Sequence, residues 1–136
     1  MGTVDKIIEQ DNIKLRKQYL REFRCYTSDE IQSLASSDSG DQQDYASVWE
    51  NQNKIFSVNN NGIDVFPSFQ FKDGKPLKII EHLLAQLPDD MSSWQIAYWF
   101  SLGNSYIENE RAPKDSFELE SDLTAAVKAL SEEVYW

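Results

Sequence analysis

The sequence predicts a mainly α-helical protein with one β-hairpin, an α+β fold. Apolar residues recur at steps of three or four along most of the chain, which is typical of amphipathic helices. Between Phe56 and Phe71 they alternate with polar residues around an Asn-Asn-Asn-Gly run, which is typical of a hairpin. We expect a helical N-terminal part with a helix-turn-helix-like pair and a wing-like hairpin, followed by a C-terminal helical bundle.

Length and composition predict one compact folded unit. The chain has 136 residues, of which 40% are hydrophobic, enough for one modest core. Within this unit we place an N-terminal helical, winged part at residues 1–75 and a C-terminal helical part at residues 76–136. The single cysteine, Cys25, cannot form an internal disulfide, and the start of the chain lacks the apolar core of a signal peptide. We therefore expect a cytoplasmic protein.

The net charge of −10 argues against nucleic acid as the default partner, because phosphate-binding proteins normally carry surplus lysine and arginine. The charge is uneven, however. Residues 12–24 hold five of the 13 basic residues and one acid, Glu22. Any DNA contact therefore has to be local.

The first helix is predicted from Val4 to Phe23 and has two different sides. Leu15, Tyr19 and Phe23 share an apolar side. The nearly opposite side carries Lys14, Lys17, Arg21 and Arg24. This basic side is either the solvated face of a core-packed helix or a ridge that binds phosphates or a partner.

Two short helices are predicted next. Thr27 and Glu30 have the spacing of a capping box, so one helix should begin near Ser28. After a polar, turn-rich segment, apolar residues recur at helical spacing in Asp41–Trp49. Two short helices joined by a turn form a helix-turn-helix layout. In that interpretation the second helix reads base edges through Gln42, Gln43 and Ser47.

The hairpin follows directly. Pro67 has no backbone N–H, which predicts that the returning strand lies at an edge or bulge. A lone ribbon is marginal in water, so we expect its apolar side to lie on helices. The hairpin is either a DNA-contacting wing or a lid over the core whose tip is simply a turn. As a wing it would contact DNA through Asn60 and Asn61 at the tip and through Lys54 before the first strand.

Three helices are predicted in the C-terminal part. The first spans Leu77–Leu87, with a buried face of Leu77, Ile80, Leu84 and Leu87 and with His82 as a partly packed residue. The second, from Trp94 to Leu102, is apolar on nearly every side and should end in a left-handed cap at Gly103-Asn104. The last begins near Glu120.

Catalytic signals are weak. One histidine and one cysteine lie 57 positions apart, and the sequence lacks the common phosphate-binding and metal-binding motifs. Paired carboxylates occur where helix starts or solvation explain them. We expect no enzymatic activity, no cofactor and no metal.

Three stretches together resemble the bacterial MbcA/ParS/Xre-type antitoxin family. The first comprises Thr27–Ile31 and Trp49–Val58, the second Phe66–Phe71 and Asp73–Pro76, and the third Trp94–Phe100, Asn104, Arg111–Pro113 and the aromatic chain end. The resemblance covers about residues 20–136. Where the family commonly has Gly-Gly before the Arg-x-Pro stretch, this chain has Ile107-Glu108-Asn109-Glu110.

The resemblance implies an antitoxin of a toxin–antitoxin pair. Its C-terminal helices would bind and neutralise a cognate RES-type, NAD-consuming toxin, and its N-terminal part would bind operator DNA as an oligomer, here expected to be a homodimer. The candidate toxin contacts are Trp99, Asn104, Glu108, Glu110, Arg111, Tyr135 and Trp136. Two other functions remain open: an autonomous DNA-binding transcriptional regulator, and a protein-interaction module without DNA binding.

Overall fold

The computed structural model describes residues 3–35 and 43–133, with side chains for residues 12–35 and 43–131. These residues form a mixed α+β fold, as expected. The helices are α1 (Thr3–Glu22), α2 (Ser28–Ala35), α3 (Tyr45–Asn51), α4 (Lys78–Gln86), α5 (Ser93–Ser101) and α6 (Glu120–Glu133). The strands are β1 (Cys25–Tyr26), β2 (Val58–Asn60), β3 (Ile63–Pro67), β4 (Phe71–Lys72) and β5 (Lys75–Pro76). No helix in the described ranges has the length and apolar character needed to cross a membrane.

The two short N-terminal helices form where their capping residues indicate. The Thr27 hydroxyl accepts a hydrogen bond from the Glu30 N–H at 3.2 Å, and the Glu30 carboxylate accepts one from the Thr27 N–H at 3.0 Å, so the capping box of α2 is confirmed. The expected start of the second helix at Asp41 is wrong, because Asp44 caps α3 and leaves Gln43 outside it. α2 and α3 pack against each other.

The hairpin is confirmed, but it is not a lone ribbon. β1 pairs with β3 on the side opposite β2, giving the antiparallel order β1-β3-β2. The prediction of β3 as an edge strand is therefore wrong. Pro67 is tolerated because it is the last residue of the strand, opposite Cys25, where the ladder ends.

The returning strand is shorter than predicted, because residues Ser68–Gln70 form a 3-10 turn. Phe69 therefore takes no part in strand pairing. Phe71 belongs to a second small hairpin, β4–β5, whose turn residues Asp73 and Gly74 have φ of 54° and 78°. A Cβ at Gly74 would lie 2.5 Å from the Leu34 carbonyl oxygen, so glycine is required both for its φ and for close approach to α2.

Near its C-terminal end, α1 packs on the body through Tyr19 and Leu20, followed by Phe23 just after the helix. Tyr19 is buried, and its hydroxyl shares a 2.8 Å hydrogen bond with the Ser101 hydroxyl on α5. Burial raises the pKa of Tyr19 to about 12. Leu15 was expected on the packed side with Tyr19 and Phe23, but it is 52% exposed. It therefore does not share the burial of Tyr19, which lies one helical turn later.

The main core joins β2, β3 and helices α4, α5 and α6 around Tyr19. On α4, Leu83 is buried rather than Leu84, which is half-buried. His82 is exposed, so the expectation of partial packing is wrong. The division of the chain at residue 75 stays a prediction, and residues from both sides of it share this core.

A second, smaller core lies under α2 and α3, and one glutamine connects it to the first. The smaller core is built from Ile31, Ala46, Ile55 and Phe66. Gln70, fully buried, accepts a hydrogen bond from the Phe56 N–H at 2.8 Å and donates to the carbonyl oxygens of Phe56 and Pro67, both at 3.0 Å. Its own backbone carbonyl accepts from the Leu77 N–H just before α4.

We predict that Gln70→Leu lowers the free energy of unfolding by about 3 kcal/mol, because it leaves buried backbone groups without partners. Gln86→Leu is the matched control, since the Gln86 amide makes one exposed bond to the His82 carbonyl and its loss should cost less than about 0.5 kcal/mol. Urea unfolding followed by circular dichroism measures both. Equal stability of the two variants would contradict this role for Gln70.

Candidate docking groove

α5 is fixed at its start by a capping box and presents two different faces. The Ser92 hydroxyl accepts from the Gln95 N–H, and the Gln95 side chain accepts from the Ser92 N–H at 2.8 Å. Trp94, Ala97 and Phe100 are buried in the main core. Tyr98 and Trp99 are half-buried, and Leu102, which follows the helix, is 58% exposed. The predicted all-round apolar helix is therefore buried on one side and partly open on the other.

The helix ends without the left-handed cap predicted at Gly103-Asn104. Its C-cap is Leu102 in an extended conformation, and Gly103 does not have positive φ. Glycine is needed there for a different reason. A Cβ at Gly103 would lie 2.8 Å from the Glu110 carbonyl oxygen, so the backbone of the returning loop occupies the space of a side chain.

The loop from Gly103 to Arg111 folds back on itself through its own backbone. The Asn104 N–H donates to the Arg111 carbonyl, the Asn104 side chain accepts from the Tyr106 N–H at 2.9 Å, and Ile107 is buried as an anchor. The Glu108 N–H donates to the Asp122 carboxylate at 3.0 Å, which ties the loop to α6. The loop therefore has a defined shape.

Two consecutive residues of this loop lie in the left-handed region. Asn109 has φ of 60° and Glu110 has φ of 54°. Asparagine tolerates this conformation, whereas for glutamate it costs about 1 kcal/mol, and glycine adopts it freely. These are positions in the stretch where the antitoxin family commonly has Gly-Gly.

An apolar groove of about 500 Å³ lies beside Trp99, between α5, the segment before it and the end of α6. It is lined by Pro88, Asp90, Met91, Gln95, Tyr98, Trp99, Leu102, Gly103, Asn104 and Leu130. A smaller hollow of about 190 Å³ shares Trp99 and Leu130 and extends to Tyr106 and Ala126. Leu102 and Tyr106, 58% and 49% exposed, line the groove and the hollow respectively and add apolar surface there.

The loop beside the groove is acidic. Glu108 and Glu110 are exposed. Arg111 offsets them only in part, because its guanidinium bonds to the Glu118 carboxylate and to the Ser116 hydroxyl and is one positive charge among three glutamates. The bond from Arg111 lowers the pKa of Glu118 below its ordinary value, which favours the charged carboxylate. An approaching molecule therefore meets apolar surface flanked by carboxylates.

The predicted partner contacts are only partly brought together. Trp99 and Asn104 line the groove, and Glu108 and Glu110 lie on the adjoining loop. Arg111 is committed to contacts within the chain. Tyr135 and Trp136 lie outside the described residues. The sequence interpretation did not predict Met91, Leu102 and Tyr106 as residues of this surface. For Tyr106 there was a signal, because it is an aromatic residue in an otherwise polar loop.

The predicted DNA contacts lie on several different elements of the fold. Lys14, Lys17 and Arg21 are exposed on α1. Arg24 lies 5.0 Å over the Tyr26 ring and 3.8 Å from the Glu30 carboxylate. Gln42 lies outside the described residues, Gln43 precedes α3, and Ser47 is exposed on it. Lys54 lines a cleft beside Trp49, while Asn60 and Asn61 are at the hairpin tip.

Within residues 3–35 and 43–133, no three histidine, cysteine or acidic side chains are placed to hold a metal ion. No protein-family model, curated protein or solved structure matches this chain.

We predict that Glu110→Gly is more stable than Glu110→Ala by about 1 kcal/mol, because only glycine adopts the left-handed conformation without strain. Both variants remove the same charge, so the difference reports the backbone alone. At Glu108, where φ is not positive, the order should reverse, with alanine the more stable. Thermal and urea unfolding of the four variants measure this, and a reversed order at position 110 would show that the loop has another shape.

Proposed function

We propose that this chain is a non-enzymatic, antitoxin-like binding protein that docks a cognate toxin on the groove beside Trp99. The observation that carries the proposal is the coincidence of an apolar groove, two large exposed apolar side chains and an acidic loop on one surface. The resemblance supplies the identity of the partner, a RES-type, NAD-consuming toxin. Docking there would neutralise the toxin.

The groove has the composition of an interaction hot spot. Trp99, Tyr98 and Met91 are residue types enriched at the centres of protein interfaces. Large exposed apolar patches on a folded protein mark sites that a partner covers. Leu102 and Tyr106 provide the side chains that such a partner would bury.

Charge supports a basic partner surface. Residues 76–136 contain four basic and eleven acidic residues, a formal charge of −7, against −10 for the whole chain. A toxin whose nucleotide site is lined by lysine or arginine attracts this half of the molecule, which speeds association. Glu108 and Glu110 are the carboxylates nearest in sequence to the groove-lining residues of the loop.

The loop conformation also favours the resemblance. Asn109 and Glu110 hold left-handed conformations in the stretch where the family commonly carries Gly-Gly. This chain lacks the Gly-Gly pair, but Asn109 and Glu110 adopt the backbone conformation that glycine favours. Tyr135 and Trp136, which follow α6 closely in the chain, stay part of the proposed contact set.

Leu102→Lys should weaken capture of a coexpressed RES-type toxin at least tenfold, because it places a charge in the apolar centre of the contact. Ile63→Lys is the matched control, since Ile63 is 62% exposed at the hairpin tip, away from the groove lining. Affinity is measured by calorimetry. Neutralisation is measured as the decrease in the rate at which the toxin consumes NAD. Equal binding by wild type and Leu102→Lys, or equal loss in both variants, would contradict docking at this groove.

DNA binding as a transcriptional regulator is a second candidate. It is favoured by Lys14, Lys17 and Arg21, which are exposed along α1 and make no ion pair with another described residue. α2 and α3 would then form the helix-turn-helix and β2–β3 the wing. Exposed Ile13 and Leu15 on α1 provide an apolar surface for a second copy, which a palindromic operator would require.

If the chain regulates transcription, Lys17→Glu and Arg21→Glu should each weaken its binding to the promoter fragment of its own operon. Each should also lower the slope of log affinity against log salt concentration by about one. Lys128→Glu, an exposed lysine on α6, is the control and should leave binding unchanged. Gel shift across a salt series measures the effect. No shift with wild-type protein at low salt would exclude this function.

A further inference from the structure

A second concave surface lies on the other core, between α3 and the start of α4. This cleft has a volume of about 770 Å³, within the range of small-molecule sites. It is lined by Leu34, Ala35, Tyr45, Trp49, Lys54, Asp73, Lys75, Pro76, Leu77, Lys78 and Glu81. Of these residues, only Lys54 belongs to either predicted contact set.

The cleft concentrates positive charge in an acidic protein. Lys54, Lys75 and Lys78 line it, and none of them forms an ion pair with a described residue. Asp73 and Glu81 are also in the wall, so the formal charge summed over the described lining residues is +1, compared with −10 for the chain. Lysine ammonium groups gathered at one hollow attract an anion.

The first turn of α4 adds to this attraction. Leu77, the N-cap residue, and Lys78 are both part of the cleft wall. The leucine side chain cannot accept a hydrogen bond, so no side chain caps the helix. The helix dipole adds a partial positive charge next to the lysines, which the Glu81 carboxylate in the same first turn offsets in part.

Aromatic rings form part of the wall as well. The rings of Tyr45 and Trp49 lie 5.3 Å apart, and Trp49 packs against Phe71 at 6.3 Å on the core side. Trp49 is half-buried, so part of its indole remains accessible from the cleft. A held indole of this kind is a surface on which a flat ring can stack.

We propose that the cleft binds a small ligand that carries both a phosphate group and a flat ring, of the mononucleotide class. The lysines and the start of α4 would hold the phosphate, and Trp49 would stack on the ring. This site shares no residue with the groove beside Trp99, so it is independent of the proposed docking function.

Calorimetry with adenosine monophosphate, adenosine and inorganic phosphate tests the proposal. The monophosphate should bind in the micromolar to millimolar range of small sites, and each fragment at least tenfold more weakly. Lys78→Glu should weaken the monophosphate at least tenfold, and Trp49→Leu should weaken it while leaving phosphate unaffected. Lys72→Glu is the matched control, because Lys72 pairs with Lys75 across β4–β5 but does not line the cleft.

Three results would overturn the proposal: no binding of the monophosphate at millimolar concentration, equal weakening by Lys72→Glu and Lys78→Glu, or a single-stranded oligonucleotide that binds much more tightly than the monophosphate. Lys78→Gln, which removes the charge without reversing it, serves if Lys78→Glu does not fold. Leu102→Lys should bind the monophosphate like wild type, so failure at the cleft is distinguishable from failure at the groove.

Discussion

The buried amide of Gln70 is the contact on which the arrangement of the chain depends. The pairing between β2 and β3 does not extend to Phe56 and Pro67, and the Gln70 amide bonds to their backbone groups instead. It accepts a hydrogen bond from the Phe56 N–H and donates to the carbonyl oxygens of Phe56 and Pro67. A buried amide of this kind holds only while its bonds are made, because an unpaired polar group in a core is costly. Since Phe56 belongs to the main core and Phe66, next to Pro67, to the smaller one, this side chain fixes the two cores relative to each other.

The same residue also sets where α4 begins, through the bond from the Leu77 N–H to its carbonyl oxygen. From that point the chain contributes to both candidate surfaces. The first turn of α4 forms part of the lysine-lined cleft, and its buried side supports the core on which α5 and α6 present the groove. One polar contact in the interior thus positions two surfaces that are chemically different, one apolar with acidic surroundings and one aromatic with lysines.

The loop beside the groove shows how backbone constraints create a binding surface. Gly103 has no side chain, so the backbone of the loop at Glu110 can lie where a Cβ would otherwise be. Asn109 and Glu110 adopt left-handed conformations that turn the loop back toward Gly103. Strain of this kind persists only where surrounding contacts hold it, here the buried Ile107 and the bond from Glu108 to Asp122. The result is a loop of defined shape in which Tyr106 is exposed beside the groove.

Local signals in the sequence determined the helix start at Ser28 and the hairpin turn at Asn61-Gly62, because capping and positive φ depend on residues within a few positions. The family resemblance, and not a local signal, singled out Trp99 and Asn104 as contacts. Only the tertiary structure decided that β3 is a central strand, that Leu15 is exposed, that Gln70 is a core residue and that Met91, Leu102, Tyr106 and Leu130 meet at one surface. Each of these depends on residues distant in the chain, and neither periodicity nor spacing records which distant segment will cover a given face.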